Sequence, residues 1–350
     1  MQHLYQILNK TIAIQSDDSV FINEFHKDYQ WFERTPTDTY SCDIMIDLHD
    51  NQLQINHHRI DISNHPTPKH YAFQLVISEM MSQLNDYYLI HAGVVKKDDH
   101  VIVLSGPPGI GKSTIVKALV DKGFIYFSDD CAPLHKQSGL IYPFPRSMWI
   151  VDKLEQTNSI RSKKPIPVIF RPDEYSPLKP KTIICLIDDT SQNQPIKLNL
   201  SLKSTDNPLI DELKQLPDIE LFRRHPVHAE YCIQYPVSKD ITQSIQTVCS
   251  KYKKHLWTMY RVPPIRKCFE RNAKIQKVSP HQAASEIISE MKMFESCLTP
   301  PGNETPMASL MNISRHLQDV NCFFMSAGHL LSEIESIYQE MYDRPDQNQH

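Results

Sequence analysis

The sequence predicts an α/β protein with a mixed-sheet core, a β-rich N-terminal segment before it and an α-rich half after it. Three observations carry that expectation. From Tyr88 onward, short apolar β-branched runs are followed by helical patterns, as in residues 101–105 and then Ile115, Val116, Leu119 and Val120. Before Tyr88 the chain alternates apolar and polar residues over 40–47 and again over 53–62, with His49-Asp50-Asn51 as a turn between them. Glycine is scarce, eight in 350 residues, yet six of the eight lie between Gly93 and Gly139.

The elements follow in order. Residues 19–22 read as a strand, and 40–62 as an antiparallel hairpin. Pro68 opens a helix to about Asp86, with Phe73, Val76, Ile77, Met80 and Leu84 on one face. Residues 89–95 and 101–105 are strands joined by the turn Lys97-Asp98-Asp99. A helix after Ser113 ends at Gly123, the expected place for a helix-terminating glycine. Residues 124–127 are the next strand, and 131–135 with 140–142 form a hairpin about Gln137-Ser138-Gly139. Prolines take 142–146 out of regular structure, and five more between Pro165 and Pro180 mark a loop, flap or linker. Residues 182–187 are a strand. Helices are expected over 206–216, 241–254 and 279–295, the last with Ser279 as N-cap and Pro280 in its first turn. Residues 321–325 read as a last strand, 330–341 as a closing helix and 343–350 as a frayed tail. The organisation expected is a β-rich segment over 1–86, a core over 87–200 and a mostly helical region over 201–350.

Composition excludes several classes. A net charge of −4 gives no general affinity for nucleic acid or an anionic membrane, and clusters such as Lys251-Tyr252-Lys253-Lys254 and Arg266-Lys267 read as solvated helix faces. No run of 18 apolar residues and no secretory pattern is present. Eight cysteines without C-x-x-C and 17 histidines without H-E-x-x-H argue against a disulfide framework or a zinc site, and a cytoplasmic protein is expected. The β-rich N-terminal segment and the long C-terminal half are expected to shape acceptor recognition or homo-oligomerisation.

The chemistry sits in Gly106-Pro107-Pro108-Gly109-Ile110-Gly111-Lys112-Ser113-Thr114. This is G-x-x-x-x-G-K-[ST], the P-loop or Walker A pattern. Without Cβ atoms the loop's backbone N–H groups can turn onto phosphate oxygens, and the helix N-terminus adds a favourable dipole. Lys112 is placed to reach the β/γ oxygens and Ser113 to ligate Mg²⁺. The pattern makes ATP and Mg²⁺ the expected cofactors. Mg²⁺ takes one or two carboxylates besides phosphate, and transfer to an alcohol uses a base for the hydroxyl proton. Asp129-Asp130, directly after a strand, supplies two carboxylates for those two tasks. His91, 21 residues before Lys112, is the third member of the set.

The segment from His91 to Asp130 resembles the catalytic core of HPr kinase/phosphorylase, with a histidine 21 residues before the lysine and an acidic pair 17 and 18 after it. It is more similar to shorter HPr-kinase-related proteins found near peptide-modification genes. They share the H-A-G-V strand, the G-F-x-x-x-S-D-D passage and the P-x-P-R turn, here Pro143-Phe144-Pro145-Arg146. The specific match covers about residues 88–150. The resemblance implies a P-loop core with a mixed sheet, like HPr kinase and phosphoenolpyruvate carboxykinase. It implies that Asp129 is the base toward an acceptor serine, that Asp130 and Ser113 hold Mg²⁺, and that His91 orients the pair. It implies that Lys112, with the loop through Gly106, Gly109, Ile110, Gly111, Ser113 and Thr114, binds phosphate. Arg146 is a candidate contact to phosphate or acceptor, and Arg171 a second positive charge. The glycine-rich signature that follows the family's nucleotide domain is not visible, which speaks against phosphorolysis of phosphoserine, and the regions that meet HPr cannot be traced, so HPr is not the preferred acceptor.

The leading expectation is an ATP-dependent serine kinase acting on a peptide or small protein. A kinase of a small-molecule alcohol would use the same core chemistry, and a non-catalytic nucleotide-binding regulator would keep the loop without turnover.

Overall fold

The computed structural model describes residues 2–35, 41–63, 65, 67–107, 110–154, 161–166, 176–187, 196–202, 207–223, 230–236, 241–252, 256–262, 275–291, 304–326, 332, 334–336 and 338–339. The chain divides into two compact units. One comprises residues 1–107, 111–187 and 272–350, and the other 188–271 together with 108–110.

The first unit opens with β1 (Gln2–Ile7) and β2 (Lys10–Ser16), then α1 (Ser19–Tyr29) and the short β3 (Glu33–Arg34). Residues 19–22 are therefore helix and not the expected strand. The Asp18 carboxylate accepts from the backbone N–H groups of Val20 (2.9 Å) and Phe21 (3.1 Å), an N-cap that starts the helix. Buried Phe21, Phe25, Asp28 and Tyr29 follow at helical spacing. Next come β4 (Ile44–His49), β5 (Gln52–Ile55) and β6 (His58–Asp61). Asp50 and Asn51 both take positive φ, 48° and 61°, the tight two-residue turn that matches strand twist. These strands make one six-stranded sheet, ordered β3-β1-β2-β4-β5-β6. Helix α2 (Pro68–Ser82) buries Ala72, Val76, Met80 and Met81. One apolar cluster runs from this layer into Tyr87, Leu89, Cys131 and Phe144 without a break.

The chain then forms β7 (Tyr87–Ile90), β8 (Ala92–Lys97), β9 (His100–Ser105), α3 (Lys112–Asp121), β10 (Ile125–Ser128) and β11 (Ala132–His135). A hairpin of β12 (Met148–Leu154) and β13 (Arg161–Ile166) lies where no regular structure was expected, and β14 (Pro180–Ile187) returns to the core. The central sheet is ordered β10-β8-β9-β14-β20-β19, using β19 (Ile275–Val278) and β20 (Asn321–Ser326) from late in the chain. It is mixed: β9, β14 and β20 are parallel neighbours, while β8 pairs antiparallel with β9 and β19 with β20.

The second unit is built by itself from β15 (Ile196–Leu202), α4 (Pro208–Leu213), β16 (Glu220–Arg223), β17 (Glu230–Tyr235), α5 (Thr242–Lys251) and β18 (Leu256–Val262). Its sheet is ordered β16-β17-β15-β18, over a core of Leu198, Leu200, Leu209, Leu213, Ile233 and Ile245. The half expected to be α-rich thus carries a four-stranded sheet. The alternation Ile196, Leu198, Leu200, Leu202 and Tyr231, Ile233, Tyr235 is its period-two signal. In the first unit α6 (Pro280–Ser289) starts on a capping box between Ser279 and Gln282, and α7 (Pro306–His316) follows. Among the described residues, no helix is long and apolar enough to cross a membrane.

Candidate active site

Strand direction brings the predicted residues together. β8 is antiparallel to both β9 and β10, so the carboxyl ends of β9 and β10 and the amino end of β8 share one edge of the sheet. The register pairs Ala92 with Ser105 and Val94 with Ser128. His91, the loop after Ser105 and Asp129 are therefore brought to one edge by topology. His91 does not lie within a strand, as expected, but at the joint where the chain leaves β7 for β8. A register irregularity between Tyr126 and Ser128 closes β10 just before the acidic pair, the usual place for a bulge that re-aims side chains.

The loop leads directly into α3. Gly111 is its N-cap with φ of 106°, a left-handed conformation that favours glycine. The Lys112 ammonium turns back on the loop and donates to the carbonyls of Gly106 (2.6 Å) and Pro107 (3.1 Å), and the side chain is buried. Thr114 is exposed in the first turn of α3, and Ile110, which groups with the second unit, is buried. Gly109 and Arg171 lie outside the described residues. Gly93 serves a different purpose from the loop glycines. A Cβ there would stand 2.4 Å from Val116 Cγ2, so its absence lets α3 lie against β8.

The two aspartates have different surroundings. Asp129 is 4% exposed and accepts from the Ser113 hydroxyl at 3.1 Å. Asp130 has a half-exposed side chain, and its Oδ1 lies 3.0 Å from His91 Nε2. Asp130 takes φ of 77°, a strained backbone position for a residue with a side chain and one that recurs at functional sites. His91 is tied on its other side to Glu290, at the C-terminal end of α6. Its backbone N–H donates to the Glu290 carbonyl at 3.3 Å, and its ring Nδ1 lies 3.8 Å from the Glu290 carboxylate. Burial raises the Tyr126 hydroxyl pKa well above its ordinary value, and the Asp129 charge adds to the rise.

Arg146 joins the group through the P-x-P-R turn. That turn runs beside the end of β10, with Ser128 bridged to Phe144, and the Tyr126 hydroxyl donates to the Arg146 carbonyl at 2.8 Å. The guanidinium donates to Asp28 at 2.7 Å, and its other terminal nitrogen lies 3.9 Å from Asp130 Oδ2. Burial would lower the Arg146 pKa, but Tyr29, Asp28 and Asp130 outweigh it, so the net shift is upward and the charge is fixed. Glu290 and Asp28 were not expected from the sequence; neither carries a local signal, and both reach the site from elements distant in the chain.

No family model matches this chain. No curated protein matches it either. Among solved structures, the Hpr(Ser) kinase/phosphatase from Coxiella burnetii aligns over 47% of this chain and 90% of its own, at 17% identity and a TM-score of 0.21. A score that low does not establish a shared fold, and the functional assignment rests on the site's own geometry.

Proposed function

We propose that the protein is an ATP-dependent kinase that transfers the γ-phosphate to a serine hydroxyl of a peptide or small protein. The observation that carries this reading is a pair of adjacent carboxylates whose partners differ, Asp129 with Ser113 and Asp130 with His91, beside a helix start whose Lys112 donates to the loop carbonyls. Such a split suits a reaction that needs one carboxylate for a metal and one for a proton.

The residues fit Mg²⁺ together with a nucleotide. Ser113 and Asp129 offer adjacent hard oxygen donors. Mg²⁺ is commonly held by one or two protein oxygens together with phosphate oxygens and water. Bound there, Mg²⁺ would neutralise charge on those oxygens. The Lys112 ammonium would exchange the loop carbonyls for the β/γ oxygens, and the amides at the start of α3 would hold the phosphates.

Exposure favours an exchange of the roles that the family resemblance implies. Asp129 is buried against Ser113 and suits the metal side, whereas half-exposed Asp130 can meet a hydroxyl on a large acceptor. In this reading Asp130 takes the serine proton while His91 fixes its orientation. The serine oxygen bonds to the γ-phosphorus, the bond from that phosphorus to the ADP oxygen breaks, and phosphoserine and ADP result. The test is transfer from γ-³²P-ATP with Mg²⁺ to a pool of small proteins and peptides from the source cells, beside a Lys112→Ala control. Label on a serine-bearing species, absent with the control, is expected; no labelled acceptor from any fraction would sink the proposal.

A further inference from the structure

Arg146 is fastened to a helix 118 residues earlier in the chain. Asp28 lies on the inner stripe of α1 beside Phe21, Phe25 and Tyr29, and is only 8% exposed. A carboxylate on such a stripe is costly unless it is paired. Its partner is the Arg146 guanidinium, 2.7 Å away, which also stacks over the Tyr29 ring at 5.1 Å. The turn carrying Arg146 is tied to both sides: the Ser147 hydroxyl donates to the Lys27 carbonyl at 2.7 Å, and the Phe144 N–H to the Phe127 carbonyl at 3.1 Å. One terminal nitrogen of the guanidinium is thereby fixed on Asp28. The other is left 3.9 Å from Asp130 Oδ2, close enough for attraction and too far for a hydrogen bond.

We propose that Asp28 is a positioning residue of the active centre: it holds Arg146 beside Asp130 and makes the N-terminal layer a working part of the site. This rests on the kinase reading above. The groups that face the guanidinium are Asp28 and Tyr29 from α1 and Asp130 from the end of β10. An acidic side chain on α1 thus sets where the positive charge lies at the reacting edge.

The experiment uses the full chain and follows single-turnover phosphate release from Mg–ATP, with water as acceptor, alongside equilibrium nucleotide binding. Asp28→Asn and Arg146→Gln should each slow release by about tenfold or more while nucleotide affinity stays within about twofold, the mark of a role in the reaction step. The pair Asp28→Asn/Arg146→Gln removes both charges, leaves none buried alone, and serves if Asp28→Asn does not fold. It should be no slower than Arg146→Gln, because the two losses are one. An unchanged rate in Asp28→Asn, losses that multiply in the pair, or affinity falling as far as rate would each overturn the proposal. A wild-type chain that binds no Mg–ATP would remove the kinase reading and this inference with it, and that outcome is separate from an active chain indifferent to Asp28.

Discussion

Replacing Gly93 with alanine should damage the site through packing alone. The new methyl would stand 2.4 Å from Val116 Cγ2, about 1 Å short of ordinary contact, which begins near 3.4 Å. Val116 is fully buried on α3 and cannot swing into solvent, so the helix must shift or Val116 must leave its rotamer. Overpacking of this size costs about 1–3 kcal/mol. At roughly 2–4 °C per kcal/mol for a domain of this class, the melting temperature should fall by about 4–8 °C for a mid-range cost of ~2 kcal/mol. The same methyl would lie 3.6 Å from Asp129 Oδ1, so a helix that moves to relieve the clash also moves Ser113 relative to Asp129. The decisive comparison is with Val116→Ala, which removes the clashing atom and itself costs about 2 kcal/mol in lost burial. In that background Gly93→Ala should cost close to nothing, a coupling of about 1–3 kcal/mol measured by thermal or urea melts. Equal losses in both backgrounds, or no loss in either, would refute the packing argument.

Other outcomes follow from single groups. Lys112→Ala should lose phosphoryl transfer by about 10²–10³-fold, as expected for a charge aimed at the transition state; a loss under tenfold in a transfer assay would place Lys112 outside the reaction. At the start of α1, burial tends to raise the Asp18 pKa, but Lys69 and the N–H groups of Phe21 and Val20 outweigh it, so the net shift is downward. A lowered carboxylate pKa stabilises the fold above the ordinary value and loses that contribution as pH falls through the folded value. Asp18→Ala should therefore be less stable than the wild type at neutral pH, with the gap closing in acid. A gap that stays constant from pH 7 to about pH 2 in urea melts would contradict the capping account.

The sequence and the structure agree most closely where one local pattern decides the outcome. The start of α3 at Lys112 follows from the glycine-rich run before it, and the position of Asp129-Asp130 from the short apolar strand just ahead of them. The same short-window reasoning failed at residues 19–22. Four apolar-rich residues look like a strand, while the helical spacing of Phe21, Phe25 and Tyr29 and the cap at Asp18 appear only over twelve. The second unit's sheet has a legible alternation at Ile196 to Leu202 that the expectation of a mostly helical region over 201–350 passed over. Glu290 and Asp28 were beyond reach for a different reason. Glu290 meets His91 through the end of α6, and Asp28 meets Arg146 across 118 residues. Contacts of that separation are set by how layers pack and leave no spacing in the sequence to read.

The central claim is that the two aspartates divide the work, Asp129 with Ser113 on the metal side and Asp130 with His91 on the proton side. The most direct measurement is Mg²⁺-dependent ATP affinity, with and without chelator, for Asp129→Asn beside Asp130→Asn. The account predicts that Asp129→Asn loses most of the affinity gained on adding Mg²⁺, whereas Asp130→Asn binds Mg–ATP like the wild type yet transfers phosphate about 10²–10³-fold more slowly. Retained Mg²⁺-dependent binding in Asp129→Asn, with its loss in Asp130→Asn, would contradict it.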